Sequence, residues 1–401
     1  MPTSSTDSAN STSSTGSAVH GEEHLIEVPR GLKGVVVAET ELGSVRGREG
    51  FYHYRQYSAV DLAKERSIED VWLLLFDGEL PSRERGEDFA REIRSLRTLP
   101  EPVVSALPDI AAGSSSPLDG LRTALSLAGS ARGFKPLMDL TTDERRADAL
   151  YAAAITPVLL TSLYRLMRGR QPIPPHPDLD YAANYLYMLA GAEPEPKIAR
   201  AVEQYLISTI DHGFNASTFT ARVIASTGAD LAACLVGAIG SLSGPLHGGA
   251  PSRALDTLDA IGTPDRIDPW ITEHVRNGER IMGFGHAVYR TEDPRSRMLR
   301  EIAETFGGER VEMAVQVERR VVELLAELKP GRELYTNVEF YAGVVMELCG
   351  LPRAMFTPTF ASSRVIGWCA NILEQSRGTK IFRPSARYVG PPPPAPIPAR
   401  G

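Results

Sequence analysis

Apolar positions recur three and four residues apart over most of this 401-residue chain, the spacing of helices that bury one face. Ser67-Ile-Glu-Asp70 is a capping-box-like start, Asp70 standing where Glu or Gln is usual. It precedes Val71–Phe76, and Gly78 stops that helix. Helices of similar character are expected over Asp143–Met167, Leu179–Leu189, Pro196–Asp211, Ser217–Ser226 and Leu231–Ile239. The pattern continues over Ser252–Ile261, Ile267–Arg276, Pro294–Phe306, Val311–Leu328 and Val338–Leu348, and ends in a long helix near Phe360–Gln375. Strand patterning is scarce: Gly34–Ala38 and Phe51–Arg55 are expected to form a short hairpin. No repeat recurs at the period of a solenoid. The chain reads as a large, mostly all-α protein.

Composition narrows the class. Hydrophobic residues make up 42% and charged residues 23% of the chain, as in an ordinary globular protein. The formal net charge is −7 and no lysine-arginine block occurs, so nucleic acid is not expected as a partner. Cys234, Cys349 and Cys369 lack CxxC spacing and fit buried thiols in a reducing compartment. Residues 1–24 are rich in Ser and Thr without a basic start or apolar core, and read as a disordered tail rather than a signal peptide. Residues 391–401 form a proline-rich tail expected to be extended. The uncharged runs Ala149–Tyr164 and Leu231–Leu246 are shorter than the roughly 18–20 residues of a membrane span, and Pro157 interrupts the first. They read as buried helices, and the protein as cytoplasmic with no membrane partner.

Candidate chemistry gathers at three histidines, each beside a glycine: His212 in STIDHGFNAST, His247 in SLSGPLHGGAPSR and His286 in MGFGHAVYRTEDPR. All three fall at boundaries of helical patterns, where a side chain can face a cleft. Each alone reads equally well as a satisfied boundary residue. Together with Arg290, Arg295, Arg364 and Arg383 they suggest a site for an anionic substrate. A zinc site from the three histidines lacks a short-spaced ligand pair. The dinucleotide fingerprint, the P-loop, HExxH and GxSxG are all missing from the sequence. Glu339, in TNVEFYAG, opens a helix. It reads either as a first-turn charge on the helix dipole or as a general base in a desolvated cleft.

The chain as a whole resembles the citrate synthase family. The resemblance runs in order through GLKGVVVAETELGSV (31–45), EDVWLLLFDGELP (69–81), DLDYAANYLYMLAGAEP (178–194) and DHGFNASTFTARVIASTGAD (211–230). It continues through SGPLHGGAP, GFGHAVYRTEDPR, TNVEFYAG and SSRVIGWCANILEQ. About residues 25–390 are covered, in the manner of the bacterial dimeric type. This implies a homodimer whose subunits have a large domain (25–247 and 345–390) and a small one (248–344) closing over a cleft. The reaction implied is condensation of acetyl-CoA with oxaloacetate, then hydrolysis of citryl-CoA, with no metal or redox cofactor.

By that resemblance His247 meets the thioester carbonyl, Glu339 is the base, and His286 polarises the ketone of oxaloacetate. His212, Arg295 and Arg364 hold its carboxylates, joined by Arg383 from the other subunit. Gly283, Phe284, Gly285 and Arg290 fall to coenzyme A. The family pattern usually has Asp where this chain has Glu339, one methylene longer, and a glycine is more usual at Gln56. Two alternatives stand beside this reading: a 2-methylcitrate synthase using propionyl-CoA, and a catalytically weak paralogue with a structural role.

Overall fold

A computed structural model describes residues 26–398, apart from Leu246, Gly249, Ala287 and residues 329–333 and the side chains of residues 250–253. The Ser/Thr-rich tail read from the sequence lies outside these residues. Two units are distinct: Thr40–Phe382, and the terminal segments before and after it. The terminal unit carries one short 3₁₀ turn, Arg30–Leu32, and an ion pair between Arg387 and Glu27 at 2.5 Å. Its proline-rich part has no regular structure as far as residue 398.

The main unit is helical. Its first half holds α1 (Ala59–Glu65), α2 (Ile68–Asp77), α3 (Arg83–Ser95), α4 (Glu101–Gly113), α5 (Pro117–Arg132), α6 (Thr142–Met167), α7 (Tyr181–Ala190) and α8 (Pro196–Thr209). Its second half holds α9 (Ala216–Ala225), α10 (Leu231–Leu242), α11 (Ala250–Ile261), α12 (Ile267–Arg276), α13 (Pro294–Phe306), α14 (Glu309–Leu328), α15 (Val338–Leu348) and α16 (Phe356–Gln375). Each of the expected helices therefore forms, with ends shifted by a few residues. Ser67 Oγ accepts from the Asp70 N–H at 3.1 Å, and α2 closes at Gly78. Four helices were not expected. Those over α3–α5 are charged or interrupted by Pro108, Gly120 and Gly129, and α1 is short.

The hairpin differs from the expectation. Its first strand is β1 (Gly43–Arg46) rather than Gly34–Ala38, and it pairs antiparallel with β2 (Phe51–Tyr54), which pairs in turn with β3 (Tyr57–Ser58). Three consecutive valines at 35–37 would put apolar side chains on both faces of a strand, whereas Gly-Ser-Val-Arg turns Val45 inward and Ser44 and Arg46 outward. The turn after β2 places Arg55 at φ 50°, a left-handed conformation held by its guanidinium donating to Leu75 O at 2.8 Å.

The core centres on α16, which packs against α6, α8, α9 and α10. Helix α6 is long and apolar enough to cross a membrane, yet most of its apolar stretch is buried inside the molecule. Pro157 interrupts its ladder and frees the carbonyl four residues earlier, at Ala153. The buried Tyr181 hydroxyl lies 3.5 Å from that oxygen. Trp72 of α2 meets Phe89 and Tyr181 edge-on, with ring centres 5.6 and 5.9 Å apart. Further along the chain α11 and α13 pack on α15, and α12 on α14.

Candidate active site

Strand β1 lines one wall of a cleft through Gly43, Ser44 and Val45, and β2 pairs with it. The inward residues of β2, Tyr52 and Tyr54, are buried and clamp the end of α8: Tyr52 Oη donates to Ser208 O at 3.0 Å, and Tyr54 Oη to Ile207 O at 2.9 Å. The chain then leaves the helix as Asp211-His212-Gly213. His212 Nε2 is 3.0 Å from Tyr289 Oη, and its ring centre is 5.8 Å from that of His286. Helix α16 crosses this point closely. A Cβ at Gly367 would fall 2.0 Å from Ile210 O, so only glycine permits the approach. Arg364, one turn earlier, consequently donates from Nε to Thr209 O at 2.8 Å and lies 4.5 Å from the Phe360 ring centre.

The opposite wall is the segment singled out at 282–295. Gly283-Phe-Gly285 runs antiparallel to residues 335–337: Gly285 N–H donates to Tyr335 O at 2.8 Å and Asn337 N–H to Gly283 O at 2.9 Å. Gly283 adopts φ 88°, and a Cβ there would meet the Phe340 ring at 2.9 Å. The glycines thus lock the histidine segment to the strand-like entry of α15, which carries Glu339 in its first turn. Downstream, Asp293 caps α13 and accepts two bonds from the Arg295 guanidinium, at 3.0 Å from Nε and 2.7 Å from Nη2. Arg295 is 3% exposed. Burial alone would discourage its charge, but the Asp293 carboxylate outweighs this and holds its pKa above the usual range.

Tautomers follow from the partners. His286 Nδ1 accepts from the backbone N–H groups of Val288 at 2.9 Å and Tyr289 at 3.1 Å. The proton of the neutral ring therefore sits on Nε2, which lies 3.4 Å from Arg295 Nη2. Two donors converge there on a place for a single acceptor. Burial first, and then the Arg295 charge, lower the His286 pKa to about 4. His247 Nε2 is 2.9 Å from Ser217 Oγ, which donates to Asn215 Oδ1 at 2.8 Å and accepts from Trp368 Nε1 at 3.2 Å. Burial, and after it Arg364, bring the His247 pKa to about 4 as well. His212 is likewise lowered, mainly by burial. Glu339 is raised by burial, with the Arg295 charge opposing. At neutral pH the cleft holds neutral imidazoles beside two guanidinium charges.

One cavity of about 630 Å³ joins them: His212, His247, Gly285, His286, Arg295, Glu339 and Arg364 all line it. Gly283, Phe284 and Arg290 are not among its walls, and Arg290 is exposed. Arg383 is exposed and belongs to the terminal unit. The structure adds groups that sequence reasoning passed over. Ser217, Asp293 and Tyr289 are partners of the singled-out residues. Asn337, whose Nδ2 donates to Gly285 O at 3.1 Å, lines the cleft with an Oδ1 that has no partner among the described residues. All four lie inside or beside the quoted motifs, but no spacing rule marks them. Among the described residues, no group of three or more His, Cys, Asp or Glu side chains is arranged to hold a metal ion.

Residues 31–385 match the family model described as citrate synthase, C-terminal domain. The chain belongs to the citrate synthase family. It is 37% identical over 368 residues to a citrate synthase of Deinococcus radiodurans, covering 91% of this chain and 97% of the relative. A crystal structure of citrate synthase from Pyrobaculum aerophilum superposes with a TM-score of 0.84 at 32% identity, covering 98% of this chain and 99% of that one. A second similar structure, at 28% identity, 93% and 98% coverage and a TM-score of 0.84, is the ternary complex of carboxymethyl coenzyme A and oxaloacetate with citrate synthase from Thermoplasma acidophilum. The mostly α-helical architecture is thus that of citrate synthases.

Proposed function

We propose that this cleft condenses acetyl-CoA with oxaloacetate and hydrolyses the resulting citryl-CoA to citrate and coenzyme A. The observation that carries the reading is the convergence of His247, His286, Glu339, Arg295 and Arg364 on one cavity. The relatives' names point to citrate rather than 2-methylcitrate.

The chemistry assigns each group a task. A thioester methyl proton is weakly acidic, so its removal needs a base and a donor for the developing enolate oxygen. Glu339 is the base, and its raised pKa makes it a better proton acceptor than an exposed carboxylate. His247 donates to the thioester oxygen from Nδ1 once the Ser217 hydroxyl proton turns from Asn215 Oδ1 to His247 Nε2. His286, neutral and protonated on Nε2, polarises the ketone and stabilises the alkoxide that carbon–carbon bond formation leaves behind. Arg295 and Arg364 match the two carboxylates of oxaloacetate, for which a guanidinium fork is suited, and His212 completes the pocket.

Arg290 at the exposed rim meets the coenzyme A phosphates, and the Gly283–Gly285 backbone lies toward the adenine. A second subunit supplies Arg383, so the working enzyme is a homodimer. Within each subunit, residues 248–344 form a smaller domain that closes on the rest, and the chemistry requires no metal or redox cofactor. Three buried free thiols, Cys234, Cys349 and Cys369, support a cytoplasmic setting.

The experiment is thiol release from acetyl-CoA by the purified protein. Release that depends on oxaloacetate is expected. Folded protein that releases no thiol above background would overturn the reading.

A further inference from the structure

Beside the main cavity lies a recess of about 30 Å³, walled by Tyr205, His247, Val338, Glu339, Ala342 and Phe360. Tyr205 belongs to α8 and is 1% exposed. Its hydroxyl has no hydrogen-bond partner among the described residues. A buried hydroxyl left unpaired is costly, so each such group in a folded protein calls for an explanation. The neighbouring tyrosines each have one: Tyr52, Tyr54 and Tyr181 bond to backbone oxygens, and Tyr185 to Thr359 Oγ1. Among these five, only Tyr205 has no such partner among the described residues, and it borders the recess together with the base. Burial, and next to it the charge of Glu339, raise its pKa, and both residues border the recess.

A water needs roughly 10–15 Å³ of such space and two to four polar partners. The recess offers that space, with Tyr205, Glu339 and His247 among its walls. We propose that it holds one water bridging Tyr205 Oη and Glu339, and that this polar volume restricts the acyl group to acetyl. The inference rests on Glu339 being the base. If it is, the carbon that loses its proton lies against the carboxylate, and a longer acyl chain must carry its next carbon from that same atom. In the recess that methyl group would displace the water. Tyr205 and Glu339 would each lose a partner while the apolar gain stayed small. Val338, Ala342 and Phe360 give the recess its size, and Tyr205 gives it polarity. Tyr205 is thus a specificity-determining residue.

The test compares acetyl-CoA and propionyl-CoA as competing substrates with oxaloacetate, for the native protein and for Tyr205→Phe. The phenyl ring keeps the volume but removes the hydroxyl, so the ratio of kcat/KM for propionyl over acetyl should rise about tenfold. An active Tyr205→Phe protein with an unmoved ratio would overturn the proposal. So would a ratio that rises in Val338→Ala but not in Tyr205→Phe, since size alone would then decide. A crystal structure of the native protein gives an answer independent of any variant's folding. A water within hydrogen-bonding distance of both Tyr205 Oη and Glu339 is expected, and an empty recess contradicts the idea. Native protein that fails to turn over acetyl-CoA at all would instead strike the assignment of the base.

Discussion

At the scale of single residues, the site works through partners rather than through its named groups alone. Ser217 illustrates this. It sits in the first turn of α9, whose Asn215 cap accepts from the Thr218 N–H at 3.1 Å, so its hydroxyl is fixed by the helix start. From there it holds both His247 and Trp368. Ser217→Ala should leave oxaloacetate binding intact and lower kcat by about 10²-fold, the effect of misplacing a reacting group by about an ångström. Steady-state kinetics with calorimetric titration of oxaloacetate would separate the two. A normal kcat would show that His247 is held by other means. The sequence disclosed His247 because glycines flank it, but a serine within an ordinary helical stretch carries no mark. Partners are set by three-dimensional proximity, and Ser217 and His247 are 30 residues apart.

At the scale of elements, apolar periodicity was enough for helices whose buried face is broad, such as α6, α10 and α16. It failed for α3, where charged residues outnumber apolar ones, and for α4 and α5, where Pro108 and two glycines mask the pattern. Helix α2 carries a feature invisible to periodicity: Glu69 in its first turn is 3% exposed. Its Oε1 accepts from the Tyr181 N–H at 2.8 Å, tying α2 to the start of α7. Burial, then the nearby Glu203 and Asp180 charges, raise its pKa from 4.5 to about 7. A carboxyl raised on folding stabilises the protein fully below its unfolded pKa, and that contribution is lost as the pH climbs through the folded one. Glu69→Gln keeps the acceptor and cannot ionise. Between pH 5 and pH 8 the variant should therefore gain on the native protein, by up to about 3 kcal/mol for a shift of this size. Urea unfolding at the two pH values measures it, and an equal difference at both would show that Glu69 does not titrate in this window.

At the scale of the whole molecule, the order of motifs was the legible part. Seven of the singled-out residues come from segments far apart in sequence, yet they line one cavity. The family's order of motifs implied that convergence, while no local pattern could. The role proposed for Arg383 comes from the resemblance alone, because a residue serving another subunit would leave no trace in its own chain's periodicity. Under the proposed reading, Arg383→Ala should raise the KM for oxaloacetate strongly without disturbing the dimer. Co-expressed with His286→Ala, it should recover part of the lost activity, because mixed dimers contain one site with both groups intact. An impaired Arg383→Ala protein that gains nothing from co-expression would mean that Arg383 serves its own subunit.

In the proposed reaction, Glu339 removes the proton that starts the chemistry. Glu339→Gln keeps the size of the side chain and its place in the first turn of α15, but it cannot accept a proton. Coenzyme A release by this variant, measured beside oxaloacetate binding, tests the claim most directly. Turnover should fall by at least about 10²-fold, the lower end of what a general base contributes, while oxaloacetate still binds. Near-normal turnover would contradict the account and leave Glu339 as a charge at a helix start.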